Sequence, residues 1–294
     1  MADDARIDVP ISLVRALVDS QFPQWSNLPL RPVAQQGWDN KTFRLGDRLK
    51  VRLPTAAGYA AQAEKEFHCL PALAHHLPLP IPAPLALGHP GHGFGWPWLV
   101  LDWLDGEPLT LVQPRPSQMR LAHDLALFLN ALRGADTGNG LPAGPHNFHR
   151  GGALAHYDGE TRECVDALGG RIDGARALTV WEEALSSHWP HPPVWVHGDI
   201  AVGNLLVSEG RLAGVIDFGS CAVGDPACDL VIAWTWFEED AGAAFRSAMG
   251  LDENSWARAR GWALWKALLV EARGGAAHAS EVPPFEVIER VTRA

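Results

Sequence analysis

The sequence predicts an α+β fold in two lobes, a small strand-rich lobe over residues 1–103 and a larger helical lobe over residues 104–294. Three observations predict it. The first hundred residues read as short strands plus one long helix. The remainder reads mainly as helices around one short strand-rich insert. Strands and helices nowhere alternate in the way that builds a parallel sheet, and no internal repeat divides the chain.

Residues 11–19 (ISLVRALVD) have the spacing of a short amphipathic helix. Thr42, Phe43 and Arg44 favour a strand, and Gly46-Asp47 is a turn signal before Leu49–Leu53. There, Leu49, Val51 and Leu53 alternate with Lys50 and Arg52, the pattern of a half-buried strand. Residues 59–76 read as a helix that Pro71 should kink or break. A proline-rich extended segment then leads to a strand over Trp98–Leu104, and Asp105-Gly106 turns the chain out of it. From Ser117, Leu121, Leu125, Phe128, Leu129 and Leu132 recur at helical spacing up to Gly134. Residues 135–175 read as irregular and 176–189 as helix. Short strands follow at Val194–His197, Leu205–Val207 and Leu212–Asp217. Helices are predicted at 226–238, 240–249, 253–273 and 284–293.

With 47% hydrophobic and 20% charged residues, the 294-residue chain can bury a sizeable core. A formal charge of −10 disfavours nucleic acid and anionic membrane as partners and suits a cationic small molecule. Cys69, Cys164, Cys221 and Cys228 form no C-x-x-C pair, which points to buried free thiols. The N-terminal stretch lacks the pattern of a secretory signal. No run approaches the ~18 apolar residues of a membrane span. A cytoplasmic location is the expectation.

The chemistry concentrates in residues 194–219. An apolar strand ends in His197-Gly198-Asp199. After four intervening residues comes Asn204, followed by apolar Leu205-Leu206-Val207. A second apolar strand ends at Asp217. Two carboxylates and a carboxamide thus leave buried strands at one end of a small sheet. Phosphoryl transfer needs such a set: one carboxylate to orient the acceptor hydroxyl and take its proton, and a second with an amide oxygen to hold Mg²⁺ against nucleotide phosphates.

His197-Gly198-Asp199…Asn204, then Ile216-Asp217-Phe218-Gly219, then residues 224–230 (GDPACDL), resemble the H-G-D-x-x-x-x-N, I-D-F/W-G and G-D-P-x-x-D-L stretches of aminoglycoside phosphotransferases, in the same order. Those enzymes are relatives of macrolide, choline and protein kinases. The resemblance implies a protein-kinase-like two-lobed fold, Mg²⁺ as cofactor, and ATP (or GTP) as phosphate donor. It implies that Asp199 is the catalytic base, that Asn204 and Asp217 bind the metal, and that His197 supports the loop. Asp225 would steady that loop, and Asp229 would cap or brace the following helix.

In the first lobe the resemblance implies a loop over the nucleotide, carried by QQGWDNKTF with Gly37 as its tight point, and a cation on the next strand paired to a helix glutamate. Lys50 and Arg52 share one strand face. Arg52 sits better for this role, although the family usually offers lysine. Glu66 is the expected partner, with Glu64 as the alternative. Backbone groups around Leu101–Trp103 would meet the adenine edge. Trp96, Trp98 and Trp103 read as core and lobe interface. The histidine pairs His89/His92, His146/His149 and His188/His191 lack the cysteine or carboxylate partners of a zinc site.

The implied function is phosphorylation of a hydroxyl on a small molecule, an aminoglycoside first, with a macrolide or amino alcohol as alternatives. Glu238, Glu239, Asp240, Glu286 and Glu289 are the acids placed to meet a cationic acceptor. Two other readings are a nucleotide-binding regulator without turnover and a metal-dependent hydrolase. The first would normally have lost one of Asp199, Asn204 and Asp217, and the second lacks histidine ligands. The sequence is silent on oligomeric state.

Overall fold

Alternating apolar residues decide the architecture of the first hundred residues. The computed structural model describes residues 6–293 except 35, 139, 276, 279 and 280. The first five residues, part of the stretch read for a secretory signal, therefore lie outside the described residues. Strands β1 (Leu30–Pro32), β2 (Asn40–Leu45), β3 (Leu49–Pro54), β4 (Pro84–Gly88) and β5 (Trp98–Asp102) form an antiparallel sheet in the order β1-β2-β3-β5-β4. Phe43, Leu45, Val51, Leu53, Trp98 and Val100 build a core with Val14, Leu17 and Val18 of α1 (Ile11–Gln21). The opposite face carries Leu99 and Leu101, which pack with Ala63 of α2 (Ala57–Ala74).

That second face changes the reading of β3. Lys50 and Arg52 pair across the sheet with Leu101 and Leu99 and share their face. Both are buried, at 9% and 7% exposure. The strand is covered on both sides, because its polar face turns inward beneath α2. The alternation of apolar and polar residues holds, but the strand is buried on both faces rather than half-buried. Nor does Pro71 end α2, which runs on to Ala74. The proline lies exposed in the last turns, so water can satisfy the carbonyl that loses its N–H partner.

The rest of the described chain is mainly helical. It comprises β6 (Glu107–Pro108), α3 (Gln118–Gly134), α4 (Asp158–Leu168), α5 (Gly174–Leu185), β7 (Val194–Val196), β8 (Leu205–Ser208), β9 (Arg211–Val215), β10 (Ala222–Gly224), α6 (Ile232–Thr235), α7 (Glu239–Met249), α8 (Glu253–Ala272) and α9 (Pro284–Arg293). Its core gathers Phe128, Trp181, Trp256, Trp262, Phe218 and Phe245, all essentially without exposure. Helix α4 falls in the stretch read as irregular. Its polar sequence hides a stripe of Thr161, Cys164, Val165 and Leu168 that packs inward. Helix α5 stops at Leu185, short of Pro190, whose ring disfavours helical backbone just before it. Residues 226–238 divide into a 3₁₀ segment (Pro226–Leu230) and the short α6.

Two small antiparallel pairings position the site. β7 pairs with β10, Val196 opposite Ala222. β8 and β9 form a two-residue hairpin whose turn residues Glu209 and Gly210 both have positive φ, the backbone such a turn requires. Its register sets Leu205 opposite Val215, so Asn204 and Asp217 emerge at the same end. All four cysteines are buried free thiols. Among the described residues no helix is long and apolar enough to cross a membrane.

Candidate active site

The loop after β7 is held by buried polar groups. Asp229, 3% exposed, accepts from the backbone N–H of His197 and of Gly198, each at 2.7 Å. Burial pushes the Asp229 carboxyl up, against the two N–H donors. His197 Nδ1 accepts from the Asp199 N–H at 3.2 Å, so Nε2 carries the proton and donates to the Ile216 carbonyl at 3.0 Å. One neutral imidazole thereby ties the Asp199 loop to the strand that delivers Asp217. Asp225 caps the 3₁₀ segment through the Ala227 N–H and pairs with Arg258 at 2.6 Å. The expected roles are therefore exchanged: Asp229 steadies the loop and Asp225 caps the segment. Both residues stand in one short motif, and only packing tells which reaches back to β7.

Gly198 has φ +82°, and a Cβ there would lie 2.4 Å from the Ser220 carbonyl oxygen, which is backbone and cannot swing aside. Gly198→Ala is expected to lower the melting temperature, by about 1–3 kcal/mol of strain, and to displace Asp199. Thermal melts and steady-state rates check both effects.

Asn204 Nδ2 donates to the Asp199 carbonyl at 2.9 Å and to its carboxylate at 3.3 Å. The Ile216 N–H donates to the Asn204 carbonyl at 2.9 Å. Asp217 sits in left-handed backbone (φ 66°) and accepts from Arg52 at 3.4 Å. Arg52 also donates to Glu66, which has no solvent exposure. Burial alone would lower the guanidinium's pKa; Glu66 and Asp217 outweigh it and raise it. Lys50 is not part of this chain of contacts: burial, and Arg52 beside it, bring its ammonium down to about 8. Glu64 makes no such contact, and Glu66 does.

The expected loop over the nucleotide is closed by a side chain. Gln36 accepts from the Thr42 N–H at 2.9 Å and donates to the Thr42 carbonyl at 2.9 Å. A Cβ on Gly37 would stand 3.3 Å from the Asn40 carbonyl oxygen. Asp39, in the same loop, was missed in the sequence. Burial pushes its carboxyl up to about 6, and the charges of Asp217 and Asp199 push the same way. This loop therefore overlooks both aspartates. A folded-state pKa above the ordinary 3.8 means that the folded protein binds that proton more tightly, so stability falls as pH rises from about 4 to about 6. Asp39→Asn in metal-free protein is expected to melt higher than the parent at pH 7, with the difference vanishing at pH 4.

Leu101 lies in the sheet, fully buried. The Trp103 N–H donates to the Arg48 carbonyl at 2.8 Å, and that of Asp102 to Ala83 at 2.9 Å, so neither amide is free for an adenine edge. The Trp103 ring lies beneath Arg44, and Trp98 is core.

Two cations beside Asp199 were also missed. Lys266 of α8 donates to its carboxylate at 3.2 Å, and Arg150 lies close enough to act on its charge. Burial pushes the Asp199 carboxyl up, but Lys266 and Arg150 outweigh it and hold it at about 2, ionised at neutral pH. The carboxylate is still 38% exposed and open to a reactant. Glu281 was missed too; burial pushes its carboxyl up, with Lys266 opposing and Asp199 adding. Of the acids proposed for the acceptor, Glu286 pairs with Arg290 and Glu289 with Arg293, each at 2.8 Å, while Glu239 and Asp240 open α7 directly after Glu238. A cavity of about 440 Å³ lies behind the loop, lined by Ser187, His188, Asp225 and Arg258 and by none of Asp199, Asn204 and Asp217.

The donor set suits a hard divalent cation. Asp217 offers carboxylate oxygens, and Asn204, whose Nδ2 faces Asp199, is left with its amide oxygen. Among the described residues no group of three or more His, Cys, Asp or Glu could hold a metal. Magnesium held against nucleotide phosphates needs fewer protein ligands.

A family model described as phosphotransferase enzyme family matches residues 30–262. An aminoglycoside 3'-phosphotransferase of Escherichia coli is 38% identical over 77 residues, 26% of this chain and 28% of that protein. The match thus spans little more than a quarter of the relative's length. The complex of APH(2")-IIia with GDP and kanamycin superposes with a TM-score of 0.70 at 19% identity, covering 95% of this chain and 96% of that one. Macrolide 2'-phosphotransferase MphH from Brachybacterium faecium superposes with a TM-score of 0.61 at 23% identity, covering 90% and 94%. The fold is the protein-kinase-like fold of these proteins.

Proposed function

We propose, for a chain that belongs to the phosphotransferase enzyme family, that it moves the terminal phosphoryl group of ATP or GTP to a hydroxyl of a small molecule, with an aminoglycoside as the leading acceptor. The observation that carries this reading is the convergence of Asp199, Asn204 and Asp217. The β8–β9 register and the His197–Ile216 bond bring the three together, and Arg52 and Glu66 close the far side.

In this reading the nucleotide lies between a lobe of residues 1–103 and one of residues 104–294. Arg52, held by Glu66, meets the phosphates, and the loop around Gly37 covers them. Asn204 and Asp217 would hold Mg²⁺, which would supply positive charge against the phosphate oxygens. Asp199 orients the acceptor hydroxyl and receives its proton as the acceptor oxygen bonds to phosphorus. The bond from that phosphorus to its bridging oxygen breaks, and the nucleoside diphosphate leaves with the electron pair. His197, Asp225 and Asp229 hold this geometry.

Aminoglycosides lead because the curated relatives are aminoglycoside phosphotransferases and the structural likenesses include a kanamycin complex. Macrolides are the second reading, favoured by the likeness to MphH. The test is nucleotide consumption with Mg²⁺ against aminoglycosides, macrolides and amino alcohols. Acceptor-dependent release of ADP or GDP, abolished by a chelator, is the expected result. Absence of turnover with every acceptor class overturns it.

A further inference from the structure

Arg150 is half-buried next to the catalytic loop. Arg52 and Arg258, both buried, each pair with a carboxylate. Arg150 instead lies over Trp265, 4.5 Å from the ring centroid, and over Trp262 at 5.5 Å. A guanidinium engaged through its face keeps its N–H donors at its edges. Among the described residues no acceptor takes a hydrogen bond from them.

The backbone holds this side chain beside the catalytic loop. A Cβ on Gly198 would come within 3.1 Å of the Arg150 Cβ. Buried Asn147 secures the segment, donating to the Arg150 carbonyl at 2.7 Å and the Ser220 carbonyl at 3.1 Å. Lys266 follows Trp265 on α8. One of its three donors goes to Asp199, and 44% of its side chain is exposed. The nearby Glu160 is committed to the Trp265 indole N–H and to Arg273, and the Lys266 ammonium also acts on the Glu281 carboxyl.

We propose that Arg150 and Lys266 form an oxyanion subsite beside Asp199, floored by Trp265 and Trp262, that takes a phosphoryl or carboxylate group. The proposal rests on the phosphotransferase reading and adds to it the charge of a ligand group. Two sources supply such a group: the γ-phosphoryl of the nucleotide, or an acid group on the acceptor adjacent to the hydroxyl that reacts. In either case the charge-assisted bonds of a guanidinium edge and an ammonium fix the group's orientation.

The test uses inorganic phosphate as probe and the full chain, with binding followed by tryptophan fluorescence, so it needs no turnover. Arg150→Ala and Lys266→Met are each expected to weaken phosphate binding about tenfold, the loss of a charge-assisted hydrogen bond. Arg150→Lys recovers part of it. A Mg²⁺ complex of a non-hydrolysable ATP analogue then separates the sources. Competition with phosphate, while ADP does not compete, assigns the subsite to the γ-phosphoryl group. Simultaneous binding assigns it to an acid group of the acceptor. Phosphate binding that is undetectable in the parent, or unchanged in Lys266→Met and in a folded Arg150→Ala, overturns the subsite. A parent that binds phosphate in this way yet turns over no acceptor overturns the proposed function and leaves the subsite standing.

Discussion

Asp199→Asn is expected to lower turnover with the best acceptor by about 10²–10⁴-fold, the usual contribution of a positioned base. The Kd of the Mg²⁺-nucleotide complex is expected to stay within about threefold, a free-energy change below about 1 kcal/mol. The replacement keeps the shape of the side chain. The Asn204 amide retains its bond to the backbone carbonyl of residue 199. What is lost is the negative charge between Lys266 and Arg150 and the oxygen that receives the acceptor's proton. Steady-state kinetics and equilibrium nucleotide binding, run on the same preparation, separate the two effects. Turnover unchanged in the variant would remove Asp199 from the chemistry.

Glu66→Ala is expected to destabilise the fold by about 3–5 kcal/mol, because it strips a buried guanidinium of its most buried partner. Glu66 has no exposure and Arg52 only 7%, so neither charge can turn to water. Asp217 remains as Arg52's second contact, at 3.4 Å, and pulls the guanidinium toward the metal side of the site. Nucleotide binding should therefore fall together with stability. The double variant Arg52→Met/Glu66→Met distinguishes the causes. Two apolar side chains of similar volume should regain much of the stability, whereas nucleotide affinity should stay low. Denaturant unfolding and nucleotide titration of the single and double variants read these outcomes. Stability unchanged in Glu66→Ala would show that the pair is not held as described.

The residues read well in the sequence are those whose geometry is local. Asp199, Asn204 and Asp217 follow short apolar strands, and a two-residue hairpin converts their spacing along the chain into proximity. Glu66 and Arg52 were legible as a strand cation and a helix acid, and the structure brings together that pair and not Lys50 with Glu64. The exchange of roles between Asp225 and Asp229 was not legible, because four residues in a 3₁₀ segment separate a cap from a brace on a distant strand. Arg150 and Lys266 carried no signal either. One lies in a stretch with no helical or strand period, and the other is a single lysine in the long α8.

By itself, the sequence determined the short strands around the site and which acidic and amide groups leave them at one end, since strand alternation, turn backbone and loop length act over a few residues. The tertiary structure alone decided which charges are buried and what faces them. It turned Lys50 and Arg52 inward beneath α2, brought Asp229 to the backbone of His197 and Gly198, and set Arg150 and Lys266 against Asp199. Desolvation and Coulomb attraction depend on distance through space, and these partners lie tens of residues apart along the chain.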